Sequence, residues 1–68
     1  MNKNLLRSIM VLHDETNEIL AAHLDISKQS LSNKMNENGQ EFTQSEIARI
    51  RAKYNLSDAQ VVAIFFAD

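Results

Sequence analysis

Several residue types that shape other small domains are missing from this chain of 68 residues, which has no cysteine, no proline and one glycine. The lack of cysteine excludes a disulfide framework and a thiolate metal site. The lack of proline and the single glycine favour helices over a sheet joined by many tight turns. No apolar run approaches the roughly 20 residues of a membrane-spanning helix, and no secretory apolar segment follows Met1. We therefore expect a cytoplasmic protein with no membrane partner.

Residues arranged for catalysis or for cofactor binding are also missing. His13 and His23 have no third ligand at the spacing of a zinc site. Ser27, Ser30 and Ser32 have neither a nucleophile elbow nor a visible base beside them. No glycine-rich loop could hold a phosphate. We therefore expect no enzyme activity, no cofactor, no metal and no small-molecule substrate.

The length and the apolar content indicate one domain spanning residues 1–68. A chain this short buries only about 60% of its unfolded surface, so its stability should be modest. The hydrophobic fraction of 44% is enough for one small core.

The stretch from Thr16 to Met35 is the most informative part of the sequence, because it predicts two short helices around a tight turn. Thr16 and Ser27 are good N-caps, since a hydroxyl can accept a free backbone N–H of the first turn. Helical spacing gives each helix an apolar face, formed by Ile19, Leu20, Leu24, Leu31 and Met35. The second helix keeps polar side chains on its outer face: Lys28, Gln29, Ser32 and Asn33.

This arrangement resembles the helix-turn-helix of phage repressor and Cro-like proteins, in which the second helix enters the major groove of DNA. The motif spans residues 16–36, and its matching positions are Leu20, Ala21, Leu24, Ile26, Ser27 and Leu31. Asp25 stands where the family usually has a glycine with positive φ, which aspartate tolerates at some cost in strain. Lys34 stands where relatives often have an apolar residue, and we expect Met35 to take over the packing role of that residue.

The remainder of the chain predicts three more helices, over residues 2–12, 44–54 and about 58–66. Two capping boxes mark the starts of the last two helices, at Thr43 with Glu46 and at Ser57 with Gln60. Gly39 should supply a positive φ in the preceding loop, and Phe42 should act as a hydrophobic staple. The segment KMNENGQEFTQSEIARI resembles a subgroup of small phage Cro/repressor-like proteins. We therefore predict an all-α fold, a compact four- to five-helix repressor-like domain containing a helix-turn-helix.

Helical periodicity also predicts which apolar residues form the core. The first helix should turn one face inward, formed by Leu5, Leu6, Ile9 and Met10, with Leu12 or His13 next. The centre of the core should consist of Leu20, Ala21, Leu24, Ile26, Leu31, Ile47 and Ile50. The last helix has more apolar residues than one of its sides can bury, namely Val61, Val62, Ile64, Phe65 and Phe66. Some of these should either complete the monomer core or form an interface between molecules.

The formal net charge of −2 is unusual for a DNA-binding protein, because affinity for DNA comes largely from Lys and Arg neutralising phosphates. The charges are unevenly distributed along the chain. Residues 1–13, 26–36 and 47–57 contain no acid and hold all seven Lys and Arg. This distribution predicts a molecule with two faces, of which the basic face is thin.

The family resemblance implies a regulator of the lysis–lysogeny switch of a temperate phage or prophage, acting in the bacterial cytoplasm. The leading hypothesis is operator binding, with the second helix of the motif in the major groove. Lys28 and Gln29 would read bases there, since Lys suits guanine and Gln suits adenine, and Ser32 and Asn33 would follow one turn later. Phosphate contacts would come from Lys3, Asn17 and Lys34, although Lys3 could equally belong to a solvated basic face.

The alternative hypothesis is an antirepressor or modulator of repression, which binds the main repressor protein of the phage and alters its DNA binding. An acidic face containing Glu15 and Glu18 could mimic DNA for a basic repressor, although these acids could instead simply complement the helix dipole. Phe66, or a near neighbour, would add an apolar contact to a partner or to a second copy in a homodimer. The partners expected from the sequence are therefore operator DNA, the repressor protein, or both.

Overall fold

Five α-helices form the chain in the computed structural model, which describes residues 1–66. The helices are α1 (Lys3–Leu12), α2 (Asn17–His23), α3 (Lys28–Met35), α4 (Gln44–Tyr54) and α5 (Asp58–Phe65). Residues 1–66 contain no strand, so the all-α prediction is confirmed. The predicted helix bounds agree with the observed ones to within a residue. None of these five helices combines the length and the apolar character that crossing a bilayer would demand.

Each helix begins directly after a polar residue whose side chain accepts the backbone N–H of the third helical residue. These N-caps are Asn2, Thr16, Ser27, Thr43 and Ser57. Both predicted capping boxes are confirmed. Glu46 Oε1 accepts the backbone N–H of Thr43 at 2.9 Å, and Gln60 Oε1 accepts that of Ser57 at 2.9 Å. The helix starts are therefore fixed by local sequence.

Four helix ends pass through a left-handed residue that is not glycine. Asp25 has a φ of 58°, which confirms the predicted turn between α2 and α3. The same conformation occurs at Asp14 (57°), Glu37 (55°) and Asn55 (52°), which the sequence did not predict. After each of them, the next backbone N–H bonds back to a carbonyl five residues earlier, as Ile26 does to Ala21 at 3.0 Å. The single glycine, Gly39, has the predicted positive φ (76°), but it follows Glu37 rather than ending α3 itself.

The core lies between the five helices and contains most of the predicted residues. Leu20, Ala21, Leu24, Leu31 and Ile50 are buried, and Ile26 and Ile47 are half-buried against them. Leu6, Ile9, Met10, Met35, Tyr54, Leu56, Val61 and Ile64 complete the core. Half-buried Phe42 packs edge-to-face on Phe65 of α5, with ring centroids 5.6 Å apart. Its staple contact with α4 stays a prediction.

Two inward positions were predicted wrongly. Leu12 was expected near the apolar face of α1, but its side chain is 83% exposed. A helical turn of 3.6 residues places Leu12 well off the face formed by Leu6, Ile9 and Met10, and His13 beyond it is exposed as well. Ile19 was expected on the inner face of α2 but is 43% exposed, because Leu20 and Ala21 define that face.

Candidate recognition surface

The outer face of α3 holds the four residues predicted to read bases. Lys28 and Gln29 are exposed, and Ser32 and Asn33 are half-buried. Gln29 Nε2 donates to Asn33 Oδ1 at 3.1 Å, so these two side chains satisfy one another across one helical turn. The side chain of Lys28 forms no hydrogen bond or ion pair within residues 1–66. The structure therefore brings the four side chains onto one surface that contains no acid.

Lys34 is held by other residues of the chain. Its Nζ lies 2.8 Å from Glu46 Oε1 and 3.3 Å from the carbonyl oxygen of Glu41, and its side chain is 12% exposed. Burial raises the pKa of Glu46, but hydrogen bonds from Lys34 and Thr43 outweigh this effect and hold the pKa below its ordinary value. The carboxylate of Glu46 is therefore ionised at neutral pH. A phosphate contact by Lys34 would require the ammonium group to leave both of its partners.

The other two phosphate candidates lie on different helices. Lys3, at the start of α1, donates from Nζ to Asn36 Oδ1 at 2.6 Å and is half-buried. Asn17 is the first residue of α2, where it is half-buried and lines a shallow cleft together with Arg7 and Val11. Both residues remain near the surface, but the ammonium group of Lys3 already donates a hydrogen bond to the side-chain amide of Asn36.

Ion pairs reduce the basic surface further. Arg51 Nη1 lies 2.6 Å from Asp58 Oδ1, and Lys53 Nζ lies 3.0 Å from Glu15 Oε2. Together with Lys34, three of the seven Lys and Arg side chains are paired with carboxylates in the part of the chain that the structure describes. The remaining four are Lys3, Arg7, Lys28 and Arg49.

Glu15 is a structural residue, although the sequence suggested it for a partner-binding face. It is half-buried, and Lys53 and Tyr54 of α4 surround its carboxylate. Burial raises the pKa of Glu15, but Lys53 and Tyr54 together hold it below its ordinary value. Burial and the adjacent carboxylate both raise the pKa of Tyr54, whose ring stacks at a tilt on His13 at 5.1 Å. The ion pair with Lys53 therefore links the α1–α2 connection to α4. Of the two acids suggested for partner binding, Glu15 and Glu18, only Glu18 is exposed.

The segment from Val11 to Ile19, which joins α1 to α2, contains exposed apolar and exposed acidic residues. Val11 is 75% exposed, Leu12 is 83% exposed and Ile19 is 43% exposed. Asp14 and Glu18 lie between Leu12 and Ile19 in the sequence, and both are exposed. Neither carboxylate has an ion-pair partner within residues 1–66. We call these five residues the junction surface. The sequence interpretation did not predict that Val11 and Leu12 are exposed. A helical projection of α1 places both residues away from the face that contains Leu6 and Met10.

A second apolar site lies at the end of α5. Val62 and Phe66 are one turn apart and are 57% and 64% exposed, whereas Phe65 is half-buried against Phe42. Phe66 also borders a cleft of about 270 Å³, which is lined by Met1, Lys34, Glu37, Glu41, Phe42, Ile47 and Phe65. The expectation that the last helix exposes part of its apolar surface is therefore met within residues 58–66.

Residues 1–66 contain no group of three or more His, Cys, Asp or Glu side chains that could hold a metal ion. No protein-family model, curated protein or solved structure matches this chain.

Proposed function

We propose that this chain is a temperate-phage or prophage regulator that binds the main repressor protein of the phage and alters its DNA binding. The proposal rests on the junction surface, a segment of nine residues in which Val11, Leu12 and Ile19 are exposed and in which Asp14 and Glu18 are exposed as well. Exposed apolar side chains grouped together are typical of protein interfaces. The phage setting comes from the family resemblance of residues 16–50.

The acids of the junction surface fit a positively charged partner. A repressor must expose Lys and Arg where it contacts DNA phosphates. Carboxylates placed opposite such a face would steer the two proteins together and would compete with DNA for the same groups. Because Glu18 and Asp14 are unpaired within residues 1–66, their charge remains available for a partner.

The distribution of cations supports a protein partner over DNA. A protein that makes 6–10 phosphate contacts depends on a comparable number of cationic or amide donors. Here carboxylates neutralise Lys34, Arg51 and Lys53, and the formal net charge is −2. Binding of the monomer to DNA should therefore be weak and strongly dependent on salt.

Operator binding is the second candidate, and the outer face of α3 favours it. That face combines exposed Lys28 and Gln29 with Ser32 and Asn33, and it contains no acid to repel DNA. Under this candidate, Gln29→Ala should cost about 1–3 kcal/mol at the specific site and relax the preference at one base pair. Lys28→Ala should weaken binding, and it should lower the salt slope by about one if Lys28 contacts phosphate alone.

Capture of purified repressor by variants of this protein separates the two candidates. Leu12→Ser should weaken capture by about tenfold or more, equivalent to about 1.4 kcal/mol, without loss of fold, because the side chain is almost fully exposed. Charge reversal by Glu18→Lys should weaken capture as well. Ser8→Ala, at an exposed position of the same helix, is the matched control and should leave capture unchanged.

The opposite pattern would overturn the proposal. If Leu12→Ser and Glu18→Lys captured the repressor as the original protein does, the junction surface would not be the binding face. If Gln29→Ala alone abolished sequence-dependent DNA binding by this protein, operator recognition by α3 would replace repressor binding as its function.

A further inference from the structure

The loop between α3 and α4 contains the dipeptide Asn38–Gly39 in an open setting. Both residues are exposed, and Gly39 has a φ of 76°. No atom lies within 4 Å of the point where a Cβ of Gly39 would stand. We propose that Asn38 is a site of spontaneous covalent modification, in which its side-chain amide cyclises onto the backbone nitrogen of Gly39 and then hydrolyses.

The reaction needs only water and a solvent base. The backbone nitrogen of Gly39 loses its proton to the base and attacks Cγ of Asn38, so that a new C–N bond forms. The bond from Cγ to Nδ2 breaks, and the amide nitrogen leaves as ammonia. Water then opens the five-membered imide ring at one of its two carbonyls. Opening at Cγ gives aspartate, whereas opening at the main-chain carbonyl gives isoaspartate, and in both products an amide has become a carboxylate.

The structure distinguishes Asn38 from the other six asparagines of the chain. Ring closure requires a mobile peptide, and a following residue without Cβ hinders it least. Asn4, Asn17 and Asn33 lie within helices, and the other three are Asn2, Asn36 and Asn55, each of which caps a helix end. All six precede a residue that has a side chain.

The attacking nitrogen is also more available at Asn38 than at the two C-caps. After Asn36, the backbone N–H of Glu37 donates to the carbonyl of Lys34 at 3.3 Å. After Asn55, the N–H of Leu56 donates to the carbonyl of Arg51 at 3.0 Å. The N–H of Gly39 has no such acceptor within residues 1–66. Reaction should therefore be selective for Asn38.

Modification would change the charge and the course of this loop. Each product adds one negative charge to a chain whose formal net charge is already −2. The backbone N–H of Asn38 donates to the carbonyl of Asn33 at 2.8 Å, a bond that closes the end of α3. Isoaspartate inserts an extra methylene into the main chain directly after this bond. It should therefore destabilise the end of α3 more than aspartate does.

The experiment is an incubation of the folded 68-residue chain for several days in mildly alkaline buffer. Mass spectrometry of the intact chain and of its peptides follows the conversion of amide to acid. We expect conversion at Asn38, with isoaspartate and aspartate as products separable by chromatography, at a rate comparable to that of the same chain in denaturant. Asn38→Ser should remove the signal while Gly39 remains in place.

Two results would overturn the proposal. Conversion at Asn38 in denaturant but not in the folded protein would mean that the native loop protects the site. Conversion of the folded protein at Asn36 or Asn55 as fast as at Asn38 would mean that the glycine and the open loop provide no selectivity. Both results are obtained with the protein that carries no substitution, so they do not depend on whether a variant folds.

Discussion

Replacement of Asp25 by glycine tests the turn that joins α2 to α3. Asp25 holds a φ of 58° and is exposed, and it forms no ion pair within residues 1–66. The left-handed conformation costs a residue with Cβ roughly 1–2 kcal/mol, and glycine relieves this strain. Glycine also lowers stability by about 0.5–1 kcal/mol through its greater freedom in the unfolded chain. The net expectation is a gain in the free energy of unfolding of about 0.5–1 kcal/mol.

Thermal and urea unfolding followed by circular dichroism provide the measurement. In a domain of this size, such a gain should raise Tm by about 2–8 °C. Asp25→Asn separates strain from charge, because it removes the carboxylate but keeps a residue that tolerates positive φ. Asn36→Gly is the control, since φ at Asn36 is −93° and glycine there should lower stability by about 0.5–1 kcal/mol, in addition to removing the hydrogen bond from Lys3. Equal or lower stability of Asp25→Gly, or an equal gain from Asn36→Gly, would refute the reasoning.

Three further substitutions test the core, the half-buried ion pair between Lys34 and Glu46, and the end of α5. Leu31→Ala should cost about 2–5 kcal/mol because the side chain is fully buried, and a loss below about 1 kcal/mol in urea unfolding would contradict the docking of α3. The folded-state pKa of Glu46 is lowered, so its contribution to stability is present above its unfolded pKa and is lost as pH falls through the folded value. Glu46→Gln should therefore lower stability at neutral pH and flatten the loss of stability as pH falls below the ordinary pKa of a glutamate; an unchanged pH profile would show that the pair with Lys34 contributes nothing. Phe66→Ser should leave Tm nearly unchanged but weaken self-association or repressor capture, and unchanged light scattering together with unchanged capture would exclude an interface at Phe66.

The helix starts and the turn at Asp25 could be predicted because they depend on neighbouring residues. A hydroxyl or amide at the N-cap recognises a backbone N–H three residues away, so Thr43 and Ser57 could be identified from the sequence alone. The left-handed residues Asp14 and Glu37 could not, because their conformation follows from where the preceding helix must end. Glutamate in particular has no local preference for positive φ.

The functional surface was harder to predict, because pairing between distant residues decides which charges are available. Lys34 was expected to contact phosphate, but Glu46, which lies 12 positions further along the chain, comes to it only through the tertiary fold. Glu15 is held in the same way by Lys53. The exposure of Leu12 was missed for another reason, since a continuous apolar run was interpreted as one face of α1.

A gel-shift experiment on the phage switch region tests the central claim most directly, with this protein alone, with the repressor alone, and with both together. If this protein binds the repressor, the protein alone should give no saturable, sequence-dependent shift even at low salt, and adding it should change the shift that the repressor produces. A saturable preference of this protein alone for operator over scrambled DNA, with no effect on the repressor, would contradict the account and leave operator binding as the function.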